Sequence, residues 1–362
     1  MSGGVDSSVA ALLVKEAGIG AVGCTMRLYD GAESGKEDPA GRTCCSLEDT
    51  EDAGAVARRL GIPYYVFNFK EEFREKVMEP FADAYLAGIT PNPCIACNRH
   101  LKFAKLLERA KILGCDAVVT GHYARIAEKD GRMRLLKAKE PEKDQSYVLY
   151  QMDQETLRHV LFPLGEYSKE ETRRIAEQNG FLNARKPDSQ DICFVPDGDY
   201  AKVVEAISGL RSKPGDFVRS DGTKLGRHKG VIHYTVGQRR GLGIAGPAPY
   251  YVIRIDVPQN RVVLGFKEEL YSAAARLGEV NWIAGTVPEE PVRCGVRIRY
   301  HHPEEAATVF PEADGTARVL FDKPQRAITP GQAAVFYDGE EVLGGGVILP
   351  PAGEDRKGEE KP

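Results

Sequence analysis

Long apolar runs are absent: no window approaches eighteen uninterrupted apolar residues, so no membrane-spanning helix is readable. A basic and then apolar leader is also lacking, because the chain opens MSGGVDSS. No secretory signal is legible, and the cytoplasm is the expected compartment. Strong charge of one sign is missing too. A net charge of -4 does not suit a protein that binds nucleic acid with its whole surface, so any such contact must be local. What remains is an ordinary globular composition, 42% hydrophobic and 28% charged over 362 residues, enough for two or three domains. Eight cysteines without an extracellular signal read as thiols, metal ligands or redox centres rather than a disulfide framework.

The first part of the chain alternates short β-branched runs with helical patterns, the signature of a parallel α/β sheet. Val9–Glu16 is helical, and Ala21–Leu28 and Tyr64–Phe69 are strands. Ser46 with Asp49 forms a capping box for a helix to Leu60. Further helices are expected over Glu71–Leu86 and Arg99–Leu113, and a buried strand over Ala117–Thr120. Asp130-Gly131 marks a hairpin, and Ser168 with Glu171 opens a last helix that Gly180 closes. After about Pro196 glycine and proline become dense and strands dominate, among them Tyr251–Val257, Arg261–Leu264, Val296–Tyr300, Ala317–Phe321 and Ala333–Tyr337. The expected division is an α/β domain over 1–196, a small β-rich domain over 197–270, a β-barrel over 271–350 and a disordered tail over 351–362. Between Arg211 and Arg240, eight Lys or Arg face two Asp. That is either a local nucleic-acid surface or a solvated face.

The most informative segment is Ser2-Gly3-Gly4-Val5-Asp6-Ser7-Ser8 ahead of a helix. Glycines let backbone fold around phosphate oxygens, the three hydroxyls add donors, and the helix N-terminus supplies positive potential. No lysine follows the glycines as in a Walker loop, which disfavours γ-phosphoryl transfer. The plainer alternative is a Gly-rich turn with an N-cap serine. Next, Thr90-Pro91-Asn92-Pro93-Cys94-Ile95-Ala96-Cys97-Asn98 delivers a C-x-x-C pair at the start of a helix, where thiol pKa falls. An ordinary cysteine is only about 3% thiolate at pH 7, so such a shift matters. A zinc half-site or two buried cysteines remain open, although no second C-x-x-C exists. Cys193, in Asp188-Ser189-Gln190-Asp191-Ile192-Cys193-Phe194, taken alone reads as a small buried hydrophobe.

In order and spacing, SGGVDSS, PNPCIACN, GHYAR (121–125), KDQSYVLY (143–150), DSQDICF (188–194) and GQRRGLGI (237–244) together resemble the tRNA 2-thiouridylase family over nearly the whole chain. SGGVDSS itself is similar to the pyrophosphatase loop of adenylating enzymes. The resemblance implies a pyrophosphatase-loop α/β domain, a central tRNA-binding domain and a C-terminal β-barrel. It implies ATP bound by Met1, Ser2, Gly3, Gly4, Val5, Asp6, Ser7, Ser8, Met26 and Gly121, with Mg²⁺ at Asp6. It makes Cys97 the nucleophile and Cys193 the persulfide carrier, the two finishing as a disulfide. Asn92, Pro93 and Cys94 then face the target base, while His122, Lys143, Asp144, Gln145, Arg299, Tyr300 and Gln332 contact tRNA at its anticodon arm. The implied sulfur source is a cysteine desulfurase or persulfide relay protein.

Two departures from the family pattern carry expectations of their own. Relatives often hold Asp where this chain has Cys94, so Cys94, Cys97 and Cys193 together can hold a [4Fe-4S] cluster whose open iron binds hydrosulfide. Relatives also place a strand before the phosphate loop, whereas this chain begins inside it at Met1, which predicts a sheet lacking its first strand. Cys44 and Cys45 read as loop residues. The rivals are another adenylating ligase or amidotransferase, and a tRNA-binding or iron-sulfur protein that does not turn over ATP.

Overall fold

The computed structural model describes residues 1–29, 47–188, 192–195 and 198–351. The readings of Cys44, Cys45, Ser46 and its capping box, Ser189–Asp191 and the tail beyond 351 lie outside the described residues. In the first domain, helix α1 (Val5–Glu16), strand β1 (Gly23–Arg27), helix α2 (Leu47–Leu60) and strand β2 (Tyr64–Asn68) follow one another. β1 and β2 pair in parallel, with Gly23 opposite Tyr64 and Arg27 opposite Asn68, as a helical crossover requires. The helix expected over 71–86 is α3 (Lys70–Phe73) and α4 (Glu79–Leu86), joined by a π-helical stretch at Arg74–Met78. The next begins earlier than apolar periodicity suggests: α5 (Pro93–Cys97) passes through a π stretch at Asn98–Lys105 into α6 (Leu106–Ile112).

β3 (Val118–Val119) pairs in parallel with β6 (Val160–Leu161), a second two-stranded ladder that shares no strand with β1–β2. α1 packs through Val5, Val9 and Leu12 with Val56 and Leu60 of α2 and with Tyr123, Leu164 and Phe181. After the short helix α7 (Gln154–Arg158), α8 (Lys169–Gln178) opens on the full Ser168/Glu171 capping box and is followed by Gly180 at φ +62°. Between β3 and β6, β4 (Arg125–Lys129) and β5 (Arg132–Leu136) form the hairpin expected from Asp130-Gly131, both turn residues at positive φ.

Helix α9 (Tyr200–Ser208) lies on the far side of the expected boundary at 196, yet it buries Ala201, Val203 and Val204 in the first domain's core with Phe81 and Phe194. The central sheet has the order β8-β7-β10-β9, from β7 (Gly215–Arg219), β8 (Lys224–His228), β9 (Tyr251–Asp256) and β10 (Arg261–Gly265), around Phe217, Tyr250, Val252 and Val262. Six antiparallel strands complete the chain: β11 (Tyr271–Trp282), β12 (Val292–Arg297), β13 (Glu305–Pro311), β14 (Ala317–Arg326), β15 (Ala333–Asp338) and β16 (Glu341–Ile348). Their order β11-β14-β13-β12-β15-β16 closes through β11–β16 pairing, which removes both sheet edges.

The barrel is not a separate bead on the chain. β5 of the first domain pairs with β16, Leu136 opposite Glu341 and Leu135 opposite Val342. Behind that ladder an apolar layer of Tyr147, Leu149 and Tyr150 meets Ile283, Val335 and Tyr337 of the barrel. The Tyr147 hydroxyl donates to the Ala333 carbonyl at 2.8 Å, and the Tyr150 hydroxyl accepts from Gln151 at 3.1 Å, so these polar atoms driven into the layer are satisfied. Much of the KDQSYVLY motif therefore serves the domain junction. Among the described residues no helix is long and apolar enough to cross a membrane.

Candidate active site

Gly3 and Gly4 place the N-terminus of α1 at one end of the first domain. Gly3 has φ +74°, and a Cβ there would lie 2.5 Å from the Asp49 carbonyl oxygen, so only glycine fits. Gly4 is the N-cap and has no capping side chain, which leaves first-turn N–H groups available to an anion. Ser7 Oγ accepts from the Ser2 N–H at 3.0 Å and lies 3.3 Å from Ser2 Oγ. Ser7 Oγ and Ser8 Oγ both donate to the Gly4 carbonyl, at 3.1 and 3.0 Å, but Ser8 is buried. Ser2 and Ser7 are thus the loop's more accessible hydroxyls, while Ser7 and Ser8 both hold its shape.

Other segments close around this loop. A Cβ on Gly121 would sit 2.7 Å from the Asp6 carbonyl carbon and the Ser7 nitrogen, so Gly121 forms a wall with no space for a side chain. Met1 is tied to β1 from both ends of its backbone: its amine donates to the Cys24 carbonyl, and Thr25 Oγ1 donates to its carbonyl at 2.6 Å. Met26, next along β1, packs at the edge of the aromatic core. The residues expected to bind ATP are therefore neighbours in space, and their glycine backbone, free first turn and hydroxyls fit a polyphosphate.

Four residues of this region were not singled out from sequence. Buried Asn183 donates to the Gly3 carbonyl at 2.8 Å and to Ser8 Oγ at 2.9 Å. Lys186 bridges Asp49 at 2.7 Å and Asp52 at 2.8 Å beneath Gly3. Burial opposes its charge, yet the two carboxylates hold its pKa above the usual lysine value. Tyr123 donates to Asp6 at 2.9 Å, and its phenol is pushed far up by burial and by that carboxylate. Lys169 lies with its ammonium against both Asp6 oxygens, at 2.7 and 2.9 Å, and against Asp188 at 2.7 Å. A sequence signal for Lys169 existed: a lysine in the first turn of a helix opposes the macrodipole and needs an acidic partner. Asp188 also accepts from Lys143 and Arg173, each at 3.0 Å. Burial raises its pKa, but the ammonium bonds of Lys169 and Lys143 prevail and hold the carboxyl below its ordinary range.

The cysteines come from two distant segments. Asn92 caps α5 by accepting from the Cys94 N–H at 3.1 Å, and Pro93 occupies the first turn. Cys94 is exposed in that turn, whereas Cys97 ends α5, where the helix-terminus potential expected to act on it has faded. Cys97 and Cys193 are both half-buried and pack on the same core cluster as Phe73, Phe81 and Phe194. Phe194 meets Phe73 and Phe81 edge-on at 5.6 and 5.1 Å, and the Tyr29 hydroxyl at the end of β1 donates to the Cys193 carbonyl. Among the described residues no three His, Cys, Asp or Glu are grouped as a metal site, so Cys94, Cys97 and Cys193 are not assembled as cluster ligands. Asp6 likewise faces an ammonium where Mg²⁺ was expected.

The residues expected to meet tRNA fall into three settings. His122 is buried between Phe103 and Phe162, 2.7 Å from Thr120 Oγ1; burial and then the Lys102 charge hold it neutral, well below its ordinary pKa. Asp144 is also buried and accepts from the N–H groups of Ala138 and Ser146 and from Arg297 at 3.1 Å, while Gln145 accepts from the Tyr123 N–H at 2.9 Å. Arg299 spans domains, donating to the carbonyls of Val236 and Ala327. Gln332 reaches the Thr90 carbonyl at 2.9 Å, just before the C-x-x-C segment. Cys94 is exposed, and Lys143 and Tyr300 are half-buried. Tyr300 lines a cleft of about 290 Å³ with Glu142, Asp144, Arg297, His301 and His302. Its phenol is pushed up to about 12 by burial, then by Asp144 and by nearby Cys94. In the basic stretch, Arg211 pairs with Glu205, and Lys224 and Arg227 share Asp216, while Arg239 and Arg240 stay exposed at its end.

Comparison with known proteins matches all three regions. Residues 1–197 match the family described as tRNA methyl transferase HUP domain, 207–266 its PRC-barrel domain and 272–348 the aminomethyltransferase beta-barrel domain. A tRNA-specific 2-thiouridylase MnmA of Acetivibrio thermocellus is 50% identical over 351 residues, covering 96% of this chain and 97% of the relative. Proteins of the same name from Clostridioides difficile and Magnetococcus marinus are each 48% identical, again over 96% of this chain and over 96% and 97% of their own lengths. With identity at this level across all three domains, the chain belongs to the tRNA-specific 2-thiouridylase family.

Proposed function

We propose that this chain is an ATP-dependent tRNA-uridine 2-sulfurtransferase acting on the wobble position. The uridine C2 oxygen attacks the α-phosphate of ATP held at Met1–Ser8, Met26 and Gly121, and pyrophosphate leaves. The terminal sulfur of a Cys193 persulfide then attacks C2, and AMP departs with the oxygen. Cys97 attacks the inner sulfur of Cys193, leaving the transferred sulfur on the base and a Cys97–Cys193 disulfide, which an external dithiol reduces. Mg²⁺ enters with ATP as its counterion rather than through a preformed carboxylate site. Lys143, Tyr300 and the exposed arginines offer phosphate neutralisation and stacking to an anticodon arm, whose unpaired base costs least to extrude. The sulfur comes from a cysteine desulfurase or a persulfide relay protein in the cytoplasm.

The observation that carries this reading is that Cys97 and Cys193 pack against one hydrophobic core cluster beside β1, the strand that also anchors Met1 at the glycine-rich loop. An adenylating ligase for a small molecule has no use for that pair. The test is thionucleoside analysis of tRNA incubated with ATP and a persulfide donor, alongside pyrophosphate release with and without tRNA. Thiolated uridine with tRNA-dependent pyrophosphate supports the reading. Pyrophosphate without tRNA points to another ligase, and none under any condition points to a binding protein.

A further inference from the structure

The phosphate loop lacks a lysine of its own, and the fold brings one to it from 163 residues away. We propose that Lys169 is the loop's phosphate-binding cation, a group that contacts the β and γ phosphates of ATP and the departing pyrophosphate; this rests on the nucleotide reading above. The side chain is about nine-tenths buried, and its ammonium lies against Asp6, in the first turn of α1 toward which the free N–H groups point. Any polyphosphate cradled by Gly3 and Gly4 meets the Asp6 carboxylate at close range, and repulsion there must be offset by a cation. Lys169 already sits on that carboxylate.

The hydrogen-bond inventory allows the exchange. An ammonium has three donors; here two go to the two oxygens of Asp6 and the third to Asp188. Giving up one Asp6 oxygen frees a donor for phosphate while both carboxylates keep a bond. Tyr123 continues to donate to Asp6 at 2.9 Å, and Arg173 and Lys143 continue to hold Asp188, so no charge is stranded. The α8 capping box fixes the backbone that presents Lys169, and Glu140 accepts from the Lys169 N–H at 2.6 Å. A lysine serving only to neutralise Asp6 needs none of this surplus of carboxylate partners.

Equilibrium binding of ATP, pyrophosphate and AMP to the full chain and to Lys169→Gln tests the assignment. ATP and pyrophosphate are expected to weaken between about 10- and 100-fold, the range for a lost charge-assisted bond, with AMP changed less than about twofold. Lys169→Arg should recover most of the loss. Because Lys169→Gln leaves Asp6 without its ammonium, the pair Asp6→Asn and Asp6→Asn/Lys169→Gln repeats the comparison on a background without that charge, and the same selective loss is expected. Equal weakening of ATP and AMP, or no weakening of ATP, overturns the role of Lys169 while leaving the nucleotide site intact. A wild-type chain that binds neither ATP nor pyrophosphate overturns both.

Discussion

At the glycine-rich loop, Asp6, Lys169, Asp188, Asn183 and Ser8 hold charges and polar groups largely out of water, each residue with a partner within 3 Å or so, although the buried Asn183 Oδ1 has none. The closed barrel is filled instead by Leu277, Val296, Val319, Phe336 and Trp282, with strand pairing around its whole circumference. One region uses buried polarity, which is costly unless every group is satisfied, to shape a surface for an anion. The other uses apolar burial, which tolerates no charge but needs no mutual alignment of donors. The comparison teaches where substitutions should separate activity from stability.

The sharpest separation is expected at Cys97. Cys97→Ser should lower thiolation by at least about 10³-fold while leaving the thermal midpoint within about 2 °C, measured by thionucleoside analysis and calorimetry, because serine nearly keeps the size of this half-buried side chain. A large drop in midpoint would erase the distinction. The converse is Phe336→Ala in the barrel. Truncating this fully buried ring beside Trp282 should cost about 3–5 kcal/mol in urea unfolding, with ATP affinity of the folded protein unchanged. Loss of nucleotide binding there would show that the barrel shapes the loop directly.

Two glycines sharpen the contrast on a smaller scale. Gly121→Ala drives a Cβ to 2.7 Å from the loop backbone and should weaken ATP binding by about tenfold or more. Gly315→Ala, in open space at φ +80° in a barrel turn, should cost only the 1–2 kcal/mol or so of left-handed backbone strain and leave ATP binding alone. Acid sensitivity follows from His122. Its folded pKa lies well below 6.5, so the unfolded chain binds the extra proton first. The stability it contributes is complete above about pH 6.5 and is lost as pH falls toward the folded value, at up to about 1.4 kcal/mol per pH unit. His122→Gln should flatten the pH dependence of the urea midpoint between pH 7 and 5. The smallest effect is at Cys294, whose thiol burial pushes up to about 12. Iodoacetamide at pH 8 should leave it unmodified in the native protein and alkylate it only after unfolding.

Local chemistry was legible wherever a few adjacent residues decide the outcome. Ser168 and Glu171 predicted a cap that forms in full, Asp130-Gly131 predicted a turn with both φ positive, and Gly3-Gly4 predicted a tight backbone ahead of α1. The C-x-x-C pair opens a helix as its segment suggested, but apolar periodicity began that helix only at Arg99, because the π stretch at 98–105 breaks the 3.6-residue period. The resemblance implies tRNA contacts for His122 and Asp144, and sequence carries no measure of the burial both show. Phe103, Phe162 and Arg297, which enclose them, come from remote segments.

The sequence by itself determined the order of domains, the glycine-rich loop ahead of α1, the spacing of the cysteines and the family, since each is written in contiguous motifs whose spacing is a property of the chain. Only the tertiary structure decided that Cys97 and Cys193 pack against one hydrophobic core cluster, that a first-domain hairpin extends the barrel sheet at β16, and that Lys169 stands over Asp6. The physical reason is that burial and ion pairing depend on which surfaces meet. Residues 163 positions apart become partners through the packing of α1 against α8, not through any pattern that either segment carries alone.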